Sequence, residues 1–393
     1  MACFKKNTYF KHILFFVVLY HLILIGCAKK APVKETRPLT EEEKEKLMQE
    51  KIEVVKKAEK LKFEEAKANL VPDPYIMFGL ALNKEKAGEL EEASKFYSYA
   101  IELKPDMTDA WVNLAEVRWK MGYKEDRIKI LEESLKIVPD DPKVWGALAI
   151  AYSDIGDNQK AEQVLKRAIN SIGMKKEVAQ SLGYVFFRSK RYSLALFVFS
   201  ELLSKHPDDP QIYFIMGDIY MKIKNYLKAK DLFERGLSIK EDKIIWNKLG
   251  LCHFEIGAIE DAKSAFEKAI AIDKDFWPAY MNLGLIYKRK SDFENSAKMY
   301  HRALELKGDN PDIIYNLANL YETYASYTRA TPQKALENIE KAKEYLVMYV
   351  QYLESDQDRQ SIQRRIDKLK KSEEEIKKQL EKELKKLEKQ QKK

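Results

Sequence analysis

Cysteine is scarce in this chain: 393 residues contain only Cys3, Cys27 and Cys252. That is too few for a disulfide framework, so the fold rests on its apolar core. Glycine and proline are also thin, at 14 and 12, which argues against a loop-rich or all-β chain. The five histidines form no His-x-x-x-His pair and there is no Cys-x-x-Cys, so a metal site has no sequence support. Gly-rich phosphate loops and Gly-x-Ser-x-Gly are absent too. No cofactor and no small-molecule substrate are expected, and the chain does not read as an enzyme.

Leu, Ala, Lys and Glu dominate instead. These are good helix formers, and with 45% hydrophobic residues they point to an all-α chain with a substantial core. The net charge is +8, but it sits at the two ends. Lys5, Lys6 and Lys11 lie among 26 residues without an acid, and residues 363–393 hold thirteen Lys and Arg against seven acids. The body between is close to neutral and lacks the broad basic face of a nucleic-acid binder.

The first 26 residues have the form of a secretory signal. Three lysines precede an apolar run over residues 13–25, which is interrupted by His21 and is shorter than the ~20 residues that span a bilayer. The run closes in Leu24-Ile25-Gly26-Cys27. This ending resembles the lipobox of bacterial lipoproteins, which implies lipidation of Cys27 and cleavage to leave it as the mature N-terminus. The alternative is an uncleaved signal anchor with an incidental cysteine. Two or three acyl chains anchor stably where one does not. Ala28 follows in place of the Asp that commonly retains lipoproteins in the inner membrane of two-membrane bacteria. The resemblance therefore implies a cell-envelope protein, anchored in the outer membrane and facing the periplasm in a two-membrane bacterium, or on the outer face of the plasma membrane in a single-membrane one.

Residues 27–40, with Pro32 and Pro38, read as a lipidated tether; extended, residues 28–40 reach about 40 Å. Thr40 with Glu43 has the form of a capping box, and residues 41–73 read as a charged helix with a thin apolar stripe through Met48, Ile52 and Val55.

The strongest signal is self-similarity at 34 residues. Small residues recur at Ala81, Ala115, Ala149, Gly183, Gly217, Gly250, Gly284 and Ala318, with one step of 33. Four residues before each stand Met77, Trp111, Trp145, Ala179, Tyr213, Trp246, Tyr280 and Ile314. A second small position follows at Ala93, Ala161, Ala195, Ala229, Ala262 and Ser296, with Arg127 as the exception. Four residues beyond it come Tyr97, Leu131, Leu165, Phe199, Phe233, Phe266 and Tyr300. Two helices can approach closely only where side chains are small, and the large residues fill the groove beside that contact. A single pair cannot bury its apolar faces, so the units stack.

This pattern resembles the tetratricopeptide-repeat (TPR) family over residues 74–350, in about eight copies. It implies a TPR helix-turn-helix solenoid, a right-handed superhelix, flanked by long N- and C-terminal helices. In the last copy, residues 324–332 read as a lengthened turn. From Lys343 one helical region continues through Tyr345, Tyr349, Leu353, Ile362, Ile366 and Leu369. Residues 351–393 read as a capping helix and a basic charged tail.

In TPR folds the fifth, ninth and twelfth positions of each first helix line the inner groove. Carried onto this sequence they include Tyr184, Phe187, Phe214, Met221, Leu251, Phe254, Met281 and Leu285. Either this apolar strip is a protein-binding groove, or the side chains pack on neighbouring first helices. An extended segment or amphipathic helix is the natural ligand of such a groove. Cys252 and His253 are adjacent, but helix neighbours point about 100° apart; they read as a buried thiol beside a packed imidazole, at the register of Tyr152, Tyr220 and Tyr287.

A lipidated tether, a repeat array and no catalytic constellation read as a membrane-anchored interaction scaffold. The layout resembles TPR lipoproteins of envelope machines: type IV pilus pilotins, gliding-motility lipoproteins and accessory subunits of barrel assembly. It implies help in assembling or localising a secretin, pilus, gliding or secretion machine. The alternative is a periplasmic holdase for outer-membrane proteins.

Overall fold

The computed structural model of the chain describes residues 73–328 and 331–391. The leader, Cys27, the tether and the charged segment up to residue 72 lie outside it. The described residues from Pro74 onward belong to one compact unit, with seventeen helices and no strand.

The first pairs are α1 (Pro74–Lys86) with α2 (Leu90–Leu103), and α3 (Thr108–Lys120) with α4 (Lys124–Ile137). Next come α5 (Pro142–Asp154) with α6 (Asn158–Ile172), and α7 (Lys176–Arg188) with α8 (Tyr192–Lys205). Then follow α9 (Pro210–Lys222) with α10 (Tyr226–Ile239), and α11 (Lys243–Glu255) with α12 (Ile259–Ile272). The series ends with α13 (Trp277–Arg289) and α14 (Phe293–Lys307), α15 (Pro311–Tyr327) and α16 (Pro332–Val350), and the long α17 (Asp356–Gln391). The fold is the TPR solenoid that the 34-residue spacing implies.

Local chemistry sets the ends of these helices. Asp141, Asp209 and Asn310 accept hydrogen bonds from the first-turn amides of α5, α9 and α15, each followed by a proline at the first helical position, where the missing N–H costs nothing. Within the first seven pairs the turn is three residues long, and its middle residue is left-handed. Gly88, Gly122, Gly156 and Gly257 take φ of +80 to +90°, while Lys190, Lys224 and Ser291 take about the same turn at φ 59 to 60°. Only glycine does so without a steric cost.

Packing within a pair follows the small-residue positions. A Cβ built at Gly183, Gly217, Gly250 or Gly284 would stand 2.4 to 2.7 Å from the ring of Phe199, Phe233, Phe266 or Tyr300. The missing methyl is the space the ring occupies. Between pairs, a ring near the start of four of the first helices is tied to a carbonyl of the preceding turn. The indoles of Trp111 and Trp145 donate to the carbonyls of Pro105 and Pro139 at 2.7 Å, and the hydroxyls of Tyr213 and Tyr280 donate to Pro207 and Lys274 at 3.1 Å.

Arg127, the one large residue at the second small position, is buried. Its guanidinium donates to Asp154 at 2.7 Å, lies 3.1 Å from Glu116 and stacks over Trp119 at 5.0 Å. A charge therefore replaces a methyl because three partners from two neighbouring helices, α3 and α5, receive it.

The C-terminal end departs from expectation twice. The turn expected at residues 324–332 starts later, because α15 gains an extra helical turn and runs to Tyr327. Tyr324 is buried there and stacks on Phe293 at 4.8 Å. The helical region expected to continue from Lys343 is interrupted at residues 351–355, and α17 folds back on α16. The break lets Ile362, Ile366, Leu369 and Ile376 join Leu317, Leu320 and Leu346 in one core. Arg365 pins this return by donating to Asn319 at 2.6 Å and by pairing with Glu322 on α15. Beyond residue 380 the described side chains of α17 are exposed, Leu384 and Leu387 among them.

Candidate protein-binding groove

Helices α7, α9, α11 and α13 present the residues expected to line the groove. Phe187, Met221, Leu251, Phe254 and Met281 pack on one side against the buried clusters of their repeats and stay partly open on the other. Tyr184 and Phe187 on α7 are half-buried, with rings in edge contact at 6.4 Å and 65°. Met221 on α9, Leu251 and Phe254 on α11, and Met281 on α13 are half-buried, and Leu285 is 37% exposed. Phe254 lies under the Arg289 guanidinium of the next repeat at 5.1 Å.

Phe214 is a correction. It sits at the fifth position of α9, yet only 4% of it is exposed. Its ring turns into the pair because α10 carries Gly236 opposite, where a Cβ would meet the Phe214 ring at 2.4 Å. The same register holds Ala100, Ser134, Ala168, Leu202, Ala269 and Ala303 in the other pairs, and a glycine there is the signal that shows Phe214 turned inward. Phe214 is core.

Sequence reasoning missed the polar frame around the strip. Lys248 Nζ donates to both carboxylate oxygens of Asp218 at 2.7 Å, linking α11 to α9. Asp154 takes Arg188 at 3.0 Å as well as Arg127, linking α7, α5 and α4. Asn282 donates to Asn247 at 2.9 Å. These pairs join consecutive first helices or their partners, so their charges are answered within the array. Burial holds the Lys288 ammonium below the ordinary lysine range, against the opposing pull of Glu322. The arrangement suits contact with apolar side chains and an occasional acid from a ligand.

Cys252 and His253 offer no nucleophile. Cys252 is fully buried, and burial pushes its thiol up to about 12, so the thiolate is not populated near neutral pH. Burial also lowers the His253 imidazole, whose Nδ1 has no hydrogen-bond partner and whose Nε2 lies 4.0 Å from Glu234. Among the described residues no group of three His, Cys, Asp or Glu side chains is placed to hold a metal ion. None of the described helices is long and apolar enough to cross a membrane.

Comparison with known proteins agrees with this geometry. The tetratricopeptide repeat profile matches residues 108–141, 210–243, 245–276 and 278–310, and a second profile of the same repeat matches residues 144–177. The chain thus carries tetratricopeptide repeats. It is 29% identical over 222 residues to the peroxisomal targeting signal receptor of Candida albicans, a match covering 54% of this chain and 37% of that protein. It is 26% identical over 245 residues to the BBSome complex member BBS4 homolog of Drosophila melanogaster, covering 59% of this chain and 50% of that one. The match thus spans about half or less of these relatives' length. Among solved structures, the human IFIT1 dimer with PPP-AAAA superposes with a TM-score of 0.55 at 15% identity, covering 76% of this chain and 73% of that chain. That likeness concerns the fold alone.

Proposed function

We propose that this chain is a membrane-anchored adaptor of a bacterial cell envelope, binding a segment of a partner protein along Tyr184, Phe187, Met221, Leu251, Phe254, Met281 and Leu285. The observation that carries this reading is the run of half-buried apolar side chains on four consecutive first helices, framed by ion pairs already satisfied within the array. Such side chains gain most when a ligand completes their burial. An extended segment or amphipathic helix matches a strip that spans four repeats. The relatives named as targeting signal receptors favour a short segment as the ligand.

The anchor in this proposal is Cys27, lipidated on its thiol and left as the mature N-terminus by cleavage of residues 1–26, with residues 28–40 as the tether to an outer membrane. Tethering raises the local concentration of the adaptor where a membrane machine is assembled. The task is the assembly or localisation of such a machine, of the secretin, pilus, gliding or secretion kind.

The test is to express the full chain in its native host, crosslink, and identify what copurifies, with Phe187→Ser, Met221→Ser and Phe254→Ser combined as the control. One dominant envelope protein, lost in the control, supports the proposal. A broad set of outer-membrane proteins would replace the adaptor by a holdase. A partner unchanged in the control would remove the groove from the account.

A further inference from the structure

The fourth repeat lacks a part that its neighbours have. In the third repeat the Trp145 indole lies between turn and helix, donates to the Pro139 carbonyl at 2.7 Å, and is covered by the Arg167 guanidinium at 5.5 Å. The sixth and seventh repeats keep the ring and its covering cation, with Lys268 over Trp246 at 4.1 Å and Arg302 over Tyr280 at 6.0 Å. Thirty-four residues after Pro139, Trp145 and Arg167 stand Gly173, Ala179 and Glu201. Turn, ring and cation have all changed together.

A slot of about 350 Å³ lies here, lined by Met174 and Lys175 in the α6–α7 turn, Ala179 and Leu182 on α7, and Phe197 and Glu201 on α8, among others. The third repeat has a cavity of about 590 Å³ at the same register with Trp145 and Arg167 in its wall, so what sets this slot apart is its lining, with Ala179 and Glu201 in place of the ring and the cation. Its size falls in the ~300–1,000 Å³ range of sites that take organic groups. The rim has changed as well. Phe197 is 65% exposed and Leu194 is 45% exposed. The matching positions of the other six second helices at this register are Lys95, Lys129, Gln163, Asp231, Ser264 and Lys298 for Phe197, and polar residues throughout for Leu194. Of these seven second helices only α8 presents two large apolar side chains at these positions, and Phe197 lines the slot. None of the proposed groove residues lines the slot.

We propose that this slot receives an aromatic side chain, tryptophan or tyrosine, from a segment of a second protein, and forms a docking site separate from the groove. The chain itself shows what the position holds: a ring in five of the eight repeats, hydrogen-bonded to the preceding turn and in three of them covered by a cation from the second helix. Phe197 supplies an aromatic wall for edge-to-face contact, and Leu194 and Met174 extend the apolar surface to the residues flanking the anchor. Glu201 supplies an acceptor for an indole N–H or phenol O–H, as the Glu241 carboxylate does for Trp246. A two-sided array of this kind holds one protein in its groove and a second on its outer surface.

The probe is a phage-displayed library of random short peptides, selected against the full chain, with the enriched peptides then measured by fluorescence anisotropy. The expected consensus contains a tryptophan or tyrosine whose replacement by alanine weakens binding about tenfold or more. Ala179→Trp, which fills the slot from within, and Phe197→Lys, which alters only the rim, each weaken the same peptide to that extent. Phe254→Ser in the groove leaves it unchanged, so this site and the groove fail or stand separately. If Ala179→Trp does not fold, Phe197→Lys and Glu201→Lys decide the matter. A consensus without an aromatic residue, no enrichment, or binding that survives Phe197→Lys but not Phe254→Ser overturns the proposal.

Discussion

Gly217 and Phe233 occupy one volume: a Cβ on the glycine would stand 2.4 Å from the phenylalanine Cε1. Alanine gains about 1 kcal/mol over glycine within a helix, but overpacking a core costs about 1–3 kcal/mol, and the buried ring has nowhere to turn. Gly217→Ala is therefore expected to destabilise by about 1–2 kcal/mol in urea denaturation. Adding Phe233→Leu restores the Ala149 and Leu165 combination of the third repeat and recovers most of the loss. An additive double variant would refute this coupling.

The left-handed turns give the opposite sign. Lys190 and Ser291 hold φ near 60°, a conformation that costs a non-glycine residue about 1 kcal/mol. Lys190→Gly and Ser291→Gly are each expected to stabilise by about 0.5–1 kcal/mol, read as a higher denaturation midpoint. A lower midpoint at both sites would mean that the lysine and serine side chains contribute more than the strain removes.

Asp154 answers two guanidinium groups, and they differ in weight. Arg127 is 8% exposed and Arg188 is 44% exposed, so the solvated pair contributes little. Asp154→Asn leaves Arg127 with Glu116 alone and should cost about 3 kcal/mol. Arg188→Ala should cost less than about 1 kcal/mol. Equal effects of the two variants would contradict the assignment of the load to Arg127.

Burial holds the imidazoles of His253 and His301 below the ordinary 6.5. As pH falls through about 6.5, the unfolded chain takes up protons that the folded chain does not. Stability is then full above that pH and declines as pH drops toward 5, before paired carboxylates such as Glu85 and Glu294, which are held low, begin to titrate. His253→Tyr installs the residue of Tyr152, Tyr220 and Tyr287 and should flatten part of this decline. An unchanged slope between pH 7 and 5 would remove His253 from the linkage.

The repeat was legible because its packing rule is local and periodic: a small residue, a large residue sixteen later, and a turn between them. The eight helix pairs follow from that rule. Phe214 was misplaced because position within a helix does not say what stands opposite, and Gly236 on the next helix decides where the ring goes. The break at residues 351–355 carries no Gly or Pro, and long-range burial of Ile362, Ile366 and Leu369 sets it. Arg127 stood out in the sequence as an exception, but its partners Glu116 and Asp154 come from two other helices and no spacing rule links them. Ala179 stood in the column of Trp111, Trp145 and Tyr213 as its one alanine, but the spacing does not show that it shares a cavity wall with Phe197 and Glu201.

The central claim is that a partner segment lies along the first helices of repeats four to seven. A photocrosslinking amino acid placed singly at Phe187, Leu251, Phe254 and Leu285, with Leu227 on the outer surface (61% exposed) as the control, tests it in the native host. The account predicts the same dominant crosslinked protein from the four groove positions and not from Leu227. Crosslinks to unrelated proteins at each position, or a single partner captured only at Leu227, would contradict it.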